Sequence, residues 1–219
     1  MFFGAKHLGD WVFDALTLIR GEALAPATLA CFARCREAGG EIFQIGTMLS
    51  RPESFLRLCV RGLPHDALRP YLAAIGWRGA EDAVAAFLDG ELARMASVRL
   101  DLDVTDRIAP RLGFECAVPP ERLPAFVARL EAEGLCLPDK ALGLLAWPGL
   151  VHMRLGRGRW PADLAGQADD GVSSAMLRTI HHIKIVIHAD GRREAKGYLA
   201  IQPVLVRDAD LAKALRGER

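Results

Sequence analysis

The stretch VRLDLDV, residues 98–104, alternates without a break. Val98, Leu100, Leu102 and Val104 fall on one side of an extended chain, and Arg99, Asp101 and Asp103 on the other. Successive side chains of a strand point to opposite faces, so this stretch reads as a strand with an apolar side and an ionisable side. The same division recurs along the chain. Leu56, Leu58 and Val60 oppose Arg57, Cys59 and Arg61, and Leu112, Phe114 and Cys116 oppose Arg111 and Glu115. Ile183, Ile185 and Ile187 oppose His182, Lys184 and His188, while Leu199 and Ile201 oppose Lys196 and Tyr198. A sheet built this way has one face for helices and one charged face for water or a ligand. The expected assignment puts Leu56, Leu58, Leu100, Leu102, Phe114, Ile185 and Leu199 under helices.

These strands are expected in adjacent pairs. Ile42 to Leu49 and Phe55 to Arg61 flank Ser50-Arg51-Pro52-Glu53; Val98 to Val104 and Arg111 to Val118 flank Thr105 to Pro110; His181 to His188 and Ala195 to Ile201 flank Asp190-Gly191, a hairpin signal. Between them lie helical pairs. Val12, Ala15, Leu16 and Ile19 keep a helical rhythm, and a second helix opens after Pro26 and stops at Gly39-Gly40. Leu68, Tyr71, Leu72 and Ile75 form the next stripe; Val84, Phe87, Leu88, Leu92 and Met95 form another. Pro119-Pro120 opens a helix ended by Gly134, and Pro138 opens one ended by Pro148-Gly149. The fold class read from this order is α+β: an antiparallel sheet or partial barrel of three helix-helix-strand-strand units, helices on the apolar face, in a single domain over residues 1–219. Residues 156–179, rich in Gly, Asp and Ser without periodicity, are expected to be a mobile loop.

Composition excludes several function classes. With 28 basic and 27 acidic residues among 219, no global polyanion footprint exists, and nucleic acid is not an expected partner. No apolar run approaches the roughly 20 residues of a membrane helix, and the start Met-Phe-Phe-Gly-Ala-Lys lacks a secretory pattern, so no membrane association and a cytoplasmic location are expected. Cys31, Cys35, Cys59, Cys116 and Cys136 have no disulfide-framework spacing and read as small buried apolar residues. No second ligand pair with zinc-site spacing accompanies Cys31 and Cys35, so no metal ligands are assigned.

The last hairpin brings His182, Lys184, Lys196 and Tyr198 together, more chemistry than a solvated sheet face needs, and is a candidate binding element. An ordinary solvated face with Arg99, Asp101 and Asp103 paired across strands is the other reading. His181 and His182 are adjacent in a strand and are expected to face opposite ways; His182 and His188 lie about 20 Å apart along it, too far to share an ion. Cys59 or Cys116 could work with His182 only if their strands are neighbours. Arg154, Arg157 and Arg159 beside Trp160 form a basic, glycine-interrupted segment suited to an anion or to an acidic leader segment of a peptide, without a phosphate-loop consensus. Trp77 and Trp147 sit near helix ends as core anchors.

The repeated plan, and above all the hairpins RLDLDVTDRIAPRLGFECAV (residues 99–118) and HHIKIVIHADGRREAKGYLAI (residues 181–201), resembles that of ABBA-type prenyltransferases, antiparallel barrels with a polar lumen. The same hairpins resemble uncharacterised bacterial proteins associated with peptide natural-product gene clusters. The first resemblance implies an isoprenoid diphosphate held by Arg57, Arg99, Arg111, Lys184, Lys196 and Tyr198, with His182 beside them. It further implies Asp101, Asp103 or Glu115 as the acid partner of a peptide or aromatic acceptor, with magnesium as a cofactor candidate. Several cations in a dry barrel could neutralise a departing diphosphate. Three units supply six strands where the family closes about ten, so the sheet either closes through a second copy, as a homo-oligomer, or remains an open saddle. The other functional class is a non-catalytic accessory or recognition partner of a peptide-maturation enzyme.

Overall fold

A computed structural model of the chain describes residues 2–4, 11–20, 24–47, 55–90, 98–153, 160–165 and 171–210. It is an α+β protein with antiparallel strand pairing, as the alternation requires. The chain divides into two compact units, one formed by Met1–Pro119 with Ile183–Lys196, the other by Pro120–His182 with Gly197–Arg219. Among the described residues no helix is long and apolar enough to cross a membrane.

The first unit contains β1 (Phe2–Gly4), α1 (Trp11–Arg20), α2 (Pro26–Glu37), β2 (Glu41–Thr47), β3 (Leu56–Arg61), α3 (Leu68–Ala74), α4 (Glu81–Gly90), β4 (Val98–Val104) and β5 (Ile108–Cys116). Residues 183–187 of β7 (Val172–Ile187) complete its sheet, in the order β1-β2-β3-β4-β5-β7. Register follows the apolar rows. Ile45, Leu58, Leu102, Leu112 and Ile187 stand side by side across five strands, and Ile42, Val60, Leu100, Phe114 and Ile185 form the next row. All ten side chains are buried. Each removes roughly 1.5–3 kcal/mol worth of apolar surface from water, so a one-residue slip, which would turn both rows outward, is excluded. Phe87 of α4 packs on Phe114 with ring centroids 4.9 Å apart, placing that helix on the apolar face.

Local chemistry sets the ends of these elements. Pro26 stands in the first turn of α2, where its missing N–H costs nothing. Pro110 was expected to break the chain before β5, yet the strand runs through it from Ile108, beside a register shift between Leu102 and Val104. A bulge is where a residue without an N–H can sit in a ladder. Between β7 and β8 (Arg193–Arg207), Gly191 adopts φ +81° and its N–H donates to the His188 carbonyl at 2.9 Å, the turn that Asp190-Gly191 signals.

The second unit contains α5 (Leu123–Ala132), α6 (Pro138–Ala146), β6 (Gly149–His152), α7 (Ala162–Ala165), residues 172–182 of β7 and residues 197–207 of β8. β6 pairs antiparallel with β7, Gly149 opposite Arg178 and His152 opposite Ala175. Two expectations are corrected here. Residues 172–179 are strand, and 162–165 are helix; Ser173 donates to the Asp208 carboxylate at 2.6 Å and Trp160 donates to Ser174 Oγ at 2.8 Å, side-chain pairings that replace the missing apolar periodicity. Arg154, Arg157 and Arg159 lie outside the described residues. Leu199 was expected under helices but is 48% exposed, as are Ile201 and Leu205 to a greater degree; the alternation of β8 is present, and among the described residues no layer covers its apolar row. Trp77 is buried as expected, whereas Trp147 is half-buried and donates its indole N–H to the Thr179 carbonyl at 3.0 Å.

Candidate functional site

The ionisable row of the first unit lies on the sheet face opposite the rows of leucine and isoleucine, and register divides it into tiers along the strands. In one tier Arg57 stands opposite Asp103. Its Nε and Nη2 donate to the two carboxylate oxygens of Asp103 at 2.8 and 3.0 Å, and Arg111 Nε donates to Asp103 Oδ2 at 2.9 Å. Both guanidiniums lie over the Phe55 ring, 5.6 and 5.8 Å from its centroid. Asp103 is buried, while the Arg111 side chain remains 41% exposed. One carboxylate therefore orients two guanidiniums on an aromatic base.

The middle tier aligns Cys59, Asp101 and Gly113 across β3, β4 and β5. Lys184 of β7 stands opposite Glu115, and its chain crosses β5 to bring Nζ onto Asp101 Oδ2, a buried ion pair. Gly113 is what allows the crossing: a Cβ there would lie 2.5 Å from Lys184 Cε and 3.3 Å from Asp101 Cβ. Burial, then the nearby Arg57 guanidinium, push the Lys184 ammonium down to about 8. Burial pushes the Cys59 thiol up to about 11, with Glu115 adding to it, which opposes a nucleophilic thiolate. Asp101 Oδ1 is buried without a hydrogen-bond partner among the described residues.

The third tier mirrors the first. Arg61 and Arg99 lie over the Phe43 ring at 5.0 and 5.1 Å, Arg61 pairs with Glu41 at 2.8 Å, and Arg99 with Glu115 at 3.8 Å. Here acid and base balance.

The structure thus brings together Arg57, Arg99, Asp101, Asp103, Arg111, Glu115 and Lys184 on one sheet face. Cys59, Asp101, Asp103 and Lys184 are all buried, against the reading of an ordinary solvated row; close ion pairing compensates the charges removed from water. Lys196 lies near enough to disfavour the Lys184 ammonium, while its own ammonium pairs with half-buried Glu194 at 3.6 Å. His182 and Tyr198 belong to the second unit, where their rings stack with centroids 4.3 Å apart. His181 and His182 were expected to face opposite ways, but their Nδ1 atoms meet at 2.7 Å; the backbone alternates while χ rotation swings the rings together. Phe43, Phe55 and Gly113 were missed as site residues. A signal existed for Gly113, since a glycine inside a strand pattern marks a close approach. The two phenylalanines carry no such mark.

No protein-family profile matches the chain, and comparison with curated proteins and with solved structures finds no match to it.

Proposed function

We propose that this protein binds a natural-product substrate, a peptide or an aromatic compound, through an anionic group seated at the Arg57, Asp103 and Arg111 tier, and that it serves as a recognition partner in peptide maturation. The observation that carries this reading is the sharing of Asp103 by two guanidiniums. Arg111 stands half exposed beside the buried Asp103 carboxylate, a partly desolvated setting where an anion that reaches it gains more than it would in water. Arg111 supplies the accessible edge: its Nε and Nη2 are turned to Asp103, and among the described residues Nη1 is left for a ligand. A platform of Phe55 beneath both guanidiniums fixes their planes and reduces the entropy lost on binding.

The isoprenoid-transferase version of this reading, supported by the resemblance of the repeated plan, puts a prenyl diphosphate in the same tier. It asks more of the site. A diphosphate carries several negative charges, and Lys184 and Arg99 are already compensated by Asp101 and Glu115. Charge balance therefore favours a carboxylate or a single phosphoryl group.

The test is calorimetric titration and thermal melting with pyrophosphate, geranyl diphosphate with and without magnesium, and the peptide acetyl-Ala-Glu-Ala-amide. A bound anion raises the melting temperature by mass action, and Arg111→Ala weakens it tenfold or more, a loss of about 1.4 kcal/mol. No binding by any of these, or equal binding by Arg111→Ala, overturns the proposal. Transfer of the geranyl group to a supplied acceptor would establish the transferase version.

A further inference from the structure

β8 has an edge and a face that the rest of the chain leaves open. Among the described residues it pairs with β7 alone, so the backbone N–H and C=O groups along its other edge form no ladder. From Gly197 to Val206 no charged side chain blunts that edge. Leu199, Ile201 and Leu205 share one face and are 48%, 58% and 57% exposed. On that face Gly197 meets Leu144 of α6, since a Cβ on the glycine would lie 3.3 Å from Leu144 Cδ1. One position on from Ala141 and Leu144 in α6, Leu142 and Leu145 are 70% and 40% exposed. An exposed apolar row beside an unpaired strand edge marks an interaction surface.

Parity says which residues bond outward. The Arg192 carbonyl accepts from the His188 N–H at 2.9 Å, and the Asp208 N–H donates to the Gly171 carbonyl at 2.9 Å. Both residues are even-numbered and turn their backbone to the β7 side, so along the strand the odd-numbered residues turn theirs outward. Pro203 is one of these, and its missing N–H takes nothing from the ladder with β7.

We propose that β8 pairs antiparallel with β8 of a second copy of this chain, about a two-fold axis at Gln202. Unpaired backbone groups call for a strand, and pairing between identical copies needs a strand that complements itself. The axis stands perpendicular to the sheet, so each residue meets one of its own parity and keeps its face. Centred on Gln202, Leu199 meets Leu205, Tyr198 meets Val206, Ala200 meets Val204, Ile201 meets Pro203 and Arg207 meets Gly197. Centred on Ala200 the strands would set Arg193 against Arg207; on Ile201, Leu199 would meet Pro203; on Pro203, Leu199 would meet Arg207. Of these registers, the one at Gln202 joins leucine to leucine without opposing like charges within the strand. Leu199, Ile201 and Leu205 donate across the new ladder, and each strand lacks only the bond that Pro203 cannot give. The pairing uses up both edges, so association stops at two copies.

Sedimentation velocity of the full chain over about 1–200 µM tests the association, and cross-linking tests the register. The dimer fraction should rise with concentration, and the double variant Leu199→Lys with Leu205→Lys should stay monomeric with an unchanged far-ultraviolet melt, both positions being exposed in the single chain. Gln202 meets its own copy as a non-hydrogen-bonded pair with Cα atoms about 4.5 Å apart, within disulfide reach. In a Cys136→Ser background, which removes the one described cysteine that is not buried, Gln202→Cys should therefore give a disulfide dimer under mild oxidation. Ala200→Cys and Val204→Cys, each about 14 Å from its own copy, should not. A monomer at every concentration, association that continues past the dimer, or cross-linking at residue 200 or 204 as readily as at 202 would each overturn the proposal. Should the lysine variant fail to fold, the cysteine series on the otherwise native chain still decides.

Discussion

Gly113→Ala is the most searching perturbation of the polar face, because its cost should depend wholly on a residue from another strand. The added Cβ would lie 2.5 Å from Lys184 Cε, about 1 Å or more inside the ordinary 3.5–4.0 Å contact between carbon atoms. Lys184 cannot yield freely, since Nζ is held on Asp101 and the chain is buried. If the ion pair survives, overpacking costs about 1–3 kcal/mol. If it is broken, the buried Asp101 charge loses its partner and the cost reaches about 3–5 kcal/mol. Now remove the obstruction and the charge together, with Lys184→Ala and Asp101→Ala. In that background the Cβ of residue 101 remains 3.3 Å from the added methyl, a contact that a shift of a few tenths of an ångström relieves, so Gly113→Ala should be near neutral, within about 0.5 kcal/mol. The coupling energy of the cycle is then about 1–5 kcal/mol. Urea unfolding followed by far-ultraviolet circular dichroism measures it, provided that m is the same in all four proteins. An equal cost of Gly113→Ala in both backgrounds would refute the claim that Lys184 crosses over this residue.

Three further outcomes are expected. Leu102→Ala, at a fully buried position, should cost about 2–5 kcal/mol, and Leu199→Ala, half exposed, should stay within about 0.5 kcal/mol; paired denaturant melts compare them, and similar values would contradict the difference between the two rows. Lys184 holds its proton less tightly folded, at about 8, than unfolded, at its ordinary 10.5, so the unfolded state binds more protons between those values. Stability relative to Lys184→Met should therefore be lowest below pH 8, rise through pH 8 to 10.5 and level off above it, and a flat or falling difference would show that burial does not depress this ammonium. Finally, Cys59, held near 11 by burial, should resist iodoacetamide at pH 8 in the native protein and react readily in urea, as read by mass spectrometry of the peptide.

Much of the first unit was legible because backbone geometry is local. A strand alternates by two whatever surrounds it, so VRLDLDV declared its own faces, and the rows through Leu102 and Leu100 are buried as that alternation demands. The Asp190-Gly191 turn and the proline at the start of α2 were likewise readable from neighbouring residues alone. The site residues Arg57, Asp101, Asp103, Arg111 and Lys184 were nameable as members of an ionisable face. Which of them touch was not. Lys184 and Asp101 are separated by 83 positions, and they meet because strand order sets β5 between them and Gly113 leaves the way open. The same limit explains Leu199. Its alternation is as regular as that of Leu102, but alternation says which way a side chain points and not whether another layer lies there. The contact of His181 with His182 turned on side-chain torsions that no period encodes. Local periodicity thus determined the strands and their faces, while the ion pairs, the buried polar tier and the bare row of β8 were decided by contacts between segments distant in the chain, which exist only once the strands are assembled in order and register.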